Sequence, residues 1–323
     1  YGHAIKSAEK VGAGGTAAPA GPAVQLAALV GFKAAHALHD EARIADFLAR
    51  YPDSRVAESL RADWLKSLGA RAAWPQYLAE YPRLVKPDMT HQCYAYRAEW
   101  ALGNPAHQRE AVSLWFSGRD LPNACDPLFT QLIEAGLLNE EDVWRRMRLA
   151  LEAGNVRVAQ AVSNSLPEAQ RPAASLFDQA ARDPARLLNS GKLDFGQRGD
   201  REIGLYALDQ VAKNNSGVAE QVLQKNAVKL SADELRTAWA RLATWAARRH
   251  EAVALDWYQR AGLVAVTDFQ REWWTRAALR AGDWQTVQRV TESMGESTRA
   301  QAVWRYWRAR ALQKAARETK SQA

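Results

Sequence analysis

The carboxylates are the first residues in this sequence whose types and spacing offer chemistry. Three Glu-Ser dipeptides occur, Glu58-Ser59, Glu292-Ser293 and Glu296-Ser297, together with the acidic run Glu140-Glu141-Asp142. One well-placed carboxyl group can act first as acid and then as base. The run 140–142 follows Asn139, however, and fits the first turn of a helix, where the helix dipole favours acids. The Glu-Ser pairs read as helix surfaces or ends. His36-x-x-His39-Asp40 sets two imidazoles on one helix face, and His91 stands close to Cys93. Neither group has further ligands at a metal-binding spacing, so an exposed helix face is the reading and no metal is expected. There is no Gly-x-Ser-x-Gly elbow and no phosphate loop, and no cofactor is implied.

Trp and Arg offer binding instead of catalysis. Thirteen Trp are present. Trp273-Trp274 and Trp304 with Trp307 could stack on sugars or bases, although most Trp in a helical chain fill its core. Of the adjacent pair, at least one ring must face away from the core. Arg145-Arg146-Met-Arg148 and Arg248-Arg249-His250 are basic clusters. They read mainly as solvated helix faces, with an anionic partner as the functional alternative.

The elements that must position these residues are helices. Only four Ile occur, whereas Ala, Leu, Gln, Glu and Arg, all strong helix formers, are abundant. No period-2 stretch stands out. Between Arg299 and Lys314, Ala300, Val303, Trp304, Trp307, Ala311 and Leu312 fall on one helical stripe. Ser231 with Glu234, Thr267 with Gln270 and Thr298 with Gln301 have capping-box spacing. Gly69, Gly103, Gly154 and Gly282 read as left-handed helix stops. Roughly eighteen helices are expected on this marking. Val11–Pro22, rich in Gly, Ala and Pro, reads as a flexible loop, and Glu318–Ala323 as a frayed polar tail.

Repeats give the architecture. Phe47-Leu-Ala-Arg-Tyr-Pro52 recurs as Tyr77-Leu-Ala-Glu-Tyr-Pro82. Residues 148–162 and 276–290 match at seven of fifteen positions, in the form helix, Ala-Gly-Asn/Asp turn, helix. Degenerate helical hairpins of this kind indicate an all-α solenoid of stacked hairpins. Residues 1–23 then form an N-terminal remnant and loop, and 24–323 one superhelical domain.

The 323 residues carry 43 Lys+Arg against 36 Asp+Glu, a net charge of +7, so an anionic partner is plausible but not demanded. The 47% hydrophobic content excludes a disordered or collagenous chain. No apolar run nears the ~18 residues of a membrane span. The first residue is Tyr1, not Met, which suggests a removed leader or a fragment.

One segment is more specific. Gln92-Cys-Tyr-Ala-Tyr-Arg-Ala-Glu-Trp100 is followed by Leu114-Trp115-Phe-Ser-Gly118 and by Pro122-Asn-Ala-Cys125-Asp-Pro-Leu-Phe129. Arg146-Met-Arg148-Leu149-Ala150, Ala153-Gly154-Asn155 and Trp304-Arg-Tyr-Trp307 complete the set. From about residue 40 to 312 this resembles the large superhelical domain of the soluble lytic murein transglycosylases. The resemblance implies a right-handed, U-shaped or horseshoe α-superhelix from a periplasmic enzyme. It implies a parent protein that cleaves the MurNAc–GlcNAc β-1,4 bond of peptidoglycan, leaving 1,6-anhydromuramoyl ends. It also implies a disulfide between Cys93 and Cys125.

That family's catalytic Glu stands in a Glu-Ser motif with a later Gly-Leu-Met-Gln. None of the Glu-Ser pairs here has that sequel, so no catalytic residue transfers, and the linker and lysozyme-like domains are expected to lie outside this chain. The expected role is a non-catalytic scaffold for peptidoglycan strands, inactive alone, with Arg248 and Arg305 as possible glycan contacts on a basic concave face. A periplasmic helical-repeat adaptor for other proteins is the alternative. An RNA-binding repeat would need the same polar residues at one offset in successive hairpins; these are missing, and no nucleic acid partner is expected.

Overall fold

The computed structural model describes residues 41–322, apart from 105 and 265, with side chains as far as 317. The expected loop at 11–22, the region 1–23, and His3, His36 and His39 lie outside the described residues. Among the described residues there are eighteen α-helices, four single-turn 3-10 segments and no strand. The described residues divide into two compact units, unit 1 up to Arg146 and unit 2 from Met147, the division falling inside a helix.

Unit 1 contains α1 (Glu41–Arg50), α2 (Arg55–Ala70), α3 (Trp74–Glu80), α4 (Met89–Ala101), α5 (Gln108–Trp115), α6 (Asp126–Glu134) and the first half of α7 (Glu140–Glu152). Local chemistry explains their starts. The Ser54 hydroxyl accepts the Ala57 N–H, Asp88 and His91 form a reciprocal capping box, and Asn139 and Asp142 bond each other's backbone. The core is aromatic and aliphatic: Ile44, Phe47, Leu60, Leu65, Leu68 and Tyr77 pack against Ala95 and Ala98 of α4. The repeated hexapeptide has one structural meaning. Its first aromatic residue meets the one four positions on, Phe47 with Tyr51 at 5.0 Å and Tyr77 with Tyr81 at 5.7 Å between ring centres.

Gly69 is not a left-handed stop. It lies within α2, and a Cβ there would stand 2.3 Å from the Tyr94 ring, so glycine is needed to admit the ring. The left-handed residue at this end is Ala72, with φ of 58°.

Unit 2 contains the rest of α7, then α8 (Val156–Ser163), α9 (Ala174–Arg182), α10 (Pro184–Asn189), α11 (Arg198–Ala212) and α12 (Ser216–Asn226). It continues with α13 (Ala232–Arg248), α14 (Ala254–Ala261), α15 (Asp268–Ala281), α16 (Trp284–Glu292), the single turn α17 (Glu296–Arg299) and α18 (Ala302–Gln322). Helices pack as successive hairpins, α11 on α12, α13 on α14 and α15 on α16, and α13 also lies against both α11 and α15. The seam is α13. Ala238, Ala240, Ala243, Ala246 and Ala247 are all buried, and their methyl groups let neighbouring helices approach closely. Larger side chains, Trp239, Trp257, Tyr258 and Trp274, fill the spaces between hairpins.

The two-hairpin echo is structural. Gly154 and Gly282 are left-handed, with φ of 76° and 71°, and end α7 and α15. Ser231 and Thr267 cap their helices in full capping boxes. Thr298 does not: it lies inside α17, buried, and its hydroxyl bonds Asp268. The helix expected from Arg299 begins instead at Ala302, and its inward stripe is narrower than its periodicity suggests. Trp304 and Ala311 are buried, whereas Val303 and Leu312 remain exposed. The backbone stays helical through Gln322, where a frayed tail was expected.

Candidate functional site

The Glu-Ser carboxylates are placed in the framework. Glu58, in the first turn of α2, accepts the backbone N–H of Val85 at 2.9 Å and of Lys86 at 3.1 Å. Glu292 ends α16 and accepts the Gln288 amide. Glu296 opens α17 on the surface. The most perturbed carboxyl group is one that no motif marked. Glu202 of α11 is buried with Arg148 at 3.2 Å and Arg198 at 4.0 Å. Burial raises its pKa to about 7 in spite of both arginines. Arg201 pairs with Glu234 at 2.8 Å, and Arg241 pairs with Glu152. Each carboxylate in this group has its own arginine, and together they cross-link α7, α11 and α13. Among the described residues, no group of His, Cys, Asp and Glu is arranged to hold a metal ion. His91 is buried instead, with Nε2 2.9 Å from the Ala62 carbonyl.

Cys93 and Cys125 are disulfide-bonded, with their Cα atoms 5.0 Å apart. Cys93 sits in the second turn of α4, and Cys125 immediately precedes α6. The bond therefore ties two helices of unit 1 through their buried sides.

The basic clusters separate into buried and exposed members. Arg146, expected on a solvated face, is buried, with its guanidinium 4.3 Å from the Trp115 ring centre and 4.7 Å from that of Phe129. Its charge is disfavoured there, and burial lowers its pKa to about 10. The reading failed because both rings come from helices distant in sequence. Arg97 of α4, partly buried, lies between Trp74, at 5.2 Å, and Tyr94, at 5.7 Å.

Unit 2 carries the same pairing on its surface, as a continuous ladder. The Lys213 ammonium lies 5.4 Å from the Trp245 ring centre. Arg248 lies 4.7 Å from that ring and 5.9 Å from Trp273. Arg276 lies 4.9 Å from Trp273 and 4.8 Å from Trp304. The ladder thus runs from the end of α11 over α13 and α15 to α18. Its local origin is a Trp followed three residues later by Arg, at 245 and 248 and again at 273 and 276, a spacing that aligns the two side chains on one helix face. Trp273 is half-buried while its neighbour Trp274 is buried, the division expected of the adjacent pair.

Carboxylates around the ladder are few. Arg276 has Glu272 at 3.4 Å, and Asp209 accepts the Trp245 indole N–H at 2.8 Å. Lys213 bonds the Gln210 side-chain oxygen at 2.6 Å. Arg248 is exposed and forms no ion pair with a carboxylate among the described residues. Its neighbour Arg249 is structural, bonding Glu251 at 2.7 Å and the Ala212 carbonyl of α11 at 2.8 Å. Arg305 takes no part in the ladder's ring contacts. It lines an open hollow of about 530 Å³ on α18 with Tyr306, Arg308 and Leu312.

No family model matches the chain. It is 26% identical to the soluble lytic murein transglycosylase of Salmonella typhimurium over 288 residues, 86% of this chain and 44% of that protein. It is 24% identical to the Escherichia coli K12 protein of the same name over 284 residues, with the same shares covered. The lytic transglycosylase Slt of Pseudomonas aeruginosa, solved as an inactive mutant, superimposes with a TM-score of 0.66 at 26% identity, covering 97% of this chain and 52% of that one. The 70-kDa enzyme of Escherichia coli has a TM-score of 0.57 at 22% identity and shows the same fold. The chain spans about half the length of the relatives it matches. It is a homologue of the soluble lytic murein transglycosylases over that shared helical region.

Proposed function

From this homology we propose that the chain is the non-catalytic superhelical scaffold of a periplasmic lytic transglycosylase. The observation that carries the reading is the extent of the match: 86% of this chain aligns with only 44% of a protein named for acting on murein. In this reading the scaffold holds peptidoglycan strands for linker and lysozyme-like domains of the same polypeptide, which cleave the MurNAc–GlcNAc bond and leave 1,6-anhydromuramoyl ends. In this reading Arg248 and Arg305 are among the glycan contacts. Supporting features are the surface cations of unit 2, the disulfide, which suits an oxidising compartment, and the lack of the family's catalytic sequence context around any Glu-Ser pair.

Two measurements test it. Purified chain incubated with murein sacculi should release no anhydromuropeptides by mass spectrometry, and soluble anhydro-products above a buffer control would overturn the inactive-scaffold reading. Small-angle scattering should give a radius of gyration several ångström above the ~20 Å of a compact globule of this length. A value at the globular figure would count against the superhelix that the resemblance implies.

A further inference from the structure

The tryptophans of the unit 2 ladder lie on a protein read as a glycan-binding scaffold, and indole faces are common platforms for sugar rings. Their surroundings argue against that use. Trp245 is already engaged by Lys213 and Arg248, and Trp273 by Arg248 and Arg276. Trp304 is buried beneath Arg276. The rings therefore present cations outward. A guanidinium stacked on a ring keeps its N–H donors in its own plane, so its edge remains free to bind while its face is held. Arg248 is the clearest case, exposed, seated on two indoles and without a carboxylate of its own. Successive cations come from adjacent packed helices, whose axes are ~8–10 Å apart. The arrangement is a row of preoriented donors with a helix-to-helix repeat.

We infer that this ladder recognises carboxylate groups carried at intervals along a polymer, through Lys213, Arg248 and Arg276, and that its tryptophans orient those cations without stacking on sugar. The inference rests on the scaffold reading, which supplies such a polymer in the peptide and muramoyl carboxylates of peptidoglycan. Carboxylates match the geometry because a guanidinium edge can donate two parallel hydrogen bonds to one such group. Glu272 already pairs with Arg276, and Asp209 accepts the Trp245 indole N–H. Arg248 is therefore the principal contact.

The experiment crosses a protein change with a ligand change. Wild-type chain, Arg248→Gln, and Arg248→Gln with Arg276→Gln are sedimented with native sacculi and with sacculi whose carboxyl groups have been converted to amides. A neutral N-acetylglucosamine oligosaccharide serves as competitor, and circular dichroism checks the fold. Wild type should bind native sacculi and lose about tenfold or more in affinity on amidation, as expected when charge-assisted hydrogen bonds are removed. The double variant should lose about tenfold on native sacculi yet match wild type on amidated ones. The single variant, altered only at an exposed residue, should lie between. The neutral oligosaccharide should not compete. Equal wild-type binding to native and amidated sacculi, equal loss by the variants on both, or competition by the neutral sugar would overturn carboxylate recognition and leave the scaffold reading standing. Failure of wild type to bind native sacculi would overturn both.

Discussion

Arginine on an aromatic ring is buried in one region of the molecule and exposed in another. In unit 1, Arg146 is sealed against Trp115 and Phe129, Arg97 is partly buried between Trp74 and Tyr94, and Arg145 lies exposed over Phe116. In unit 2, Arg248 and Arg276 sit on tryptophans at the surface. The framework beneath differs too. Unit 1 packs aromatic and leucine side chains and adds a disulfide, whereas unit 2 relies on the alanine seam of α13 with large rings between hairpins. A contact type alone therefore does not reveal its purpose; burial and the presence of a free donor edge separate packing from recognition.

The largest effect should come from the rings of unit 2. Trp274 is buried and stacks on Tyr258 at 5.0 Å between ring centres. Trp274→Ala should destabilise by about 3–5 kcal/mol, read by urea denaturation. A loss under 1 kcal/mol would mean that the seam, not the rings, holds the hairpins together.

Next comes the disulfide. Replacing Cys93 and Cys125 by Ser opens a loop of 32 residues and should cost about 3–4 kcal/mol on the chain-entropy model. Hydrogen exchange should show the loss of protection in α4 and α6 of unit 1. Equal loss in unit 2 would erase the distinction between them.

Glu202 gives a pH-dependent difference. Its folded pKa, about 7, lies above the ordinary glutamate value, so folding favours the protonated form. The native state takes up a proton between roughly pH 7 and 4.5 while the unfolded chain does not. Stability should therefore rise as pH falls through that window, by on the order of 3 kcal/mol, and be lost again as pH rises through the folded value. Glu202→Gln should flatten this dependence. A wild-type profile that falls on acidification from pH 7 to 5 would show that Arg148 and Arg198 outweigh burial.

The smallest effect isolates the opening contrast. Arg146→Gln removes a buried guanidinium from two rings and should cost about 1–2 kcal/mol. Arg248→Gln should change stability by no more than ~0.5 kcal/mol. Equal thermal shifts in the two variants would break the division between packing and recognition.

Much of the fold was legible because it is encoded locally. Hydroxyls at Ser231 and Thr267, acids after Asn139, and the glycines at 154 and 282 act within a single turn. The Cys93–Cys125 pairing came from resemblance, since spacing alone does not choose partners. Thr298 misled because its hydroxyl serves Asp268, which is thirty residues earlier in sequence, and Gly69 because its partner is a ring on another helix. The candidate site was half visible. Arg248 stood out as part of a basic cluster, but Lys213 and Arg276 did not. The repeated Trp-x-x-Arg spacing was the available signal, and its significance depends on hairpins stacking in register.

The turn after α13 carries one more consequence. His250 adopts a left-handed backbone, φ 65°, and Ala72 a similar one, φ 58°, where L-residues are strained by roughly 1–2 kcal/mol. Both are sites where glycine would relax the chain, less the entropy it adds to the unfolded state. The protein thus retains unrealised thermal headroom at two surface turns. A lineage exposed to heat has an adaptive path there that leaves every core ring, the disulfide and the cationic ladder unchanged.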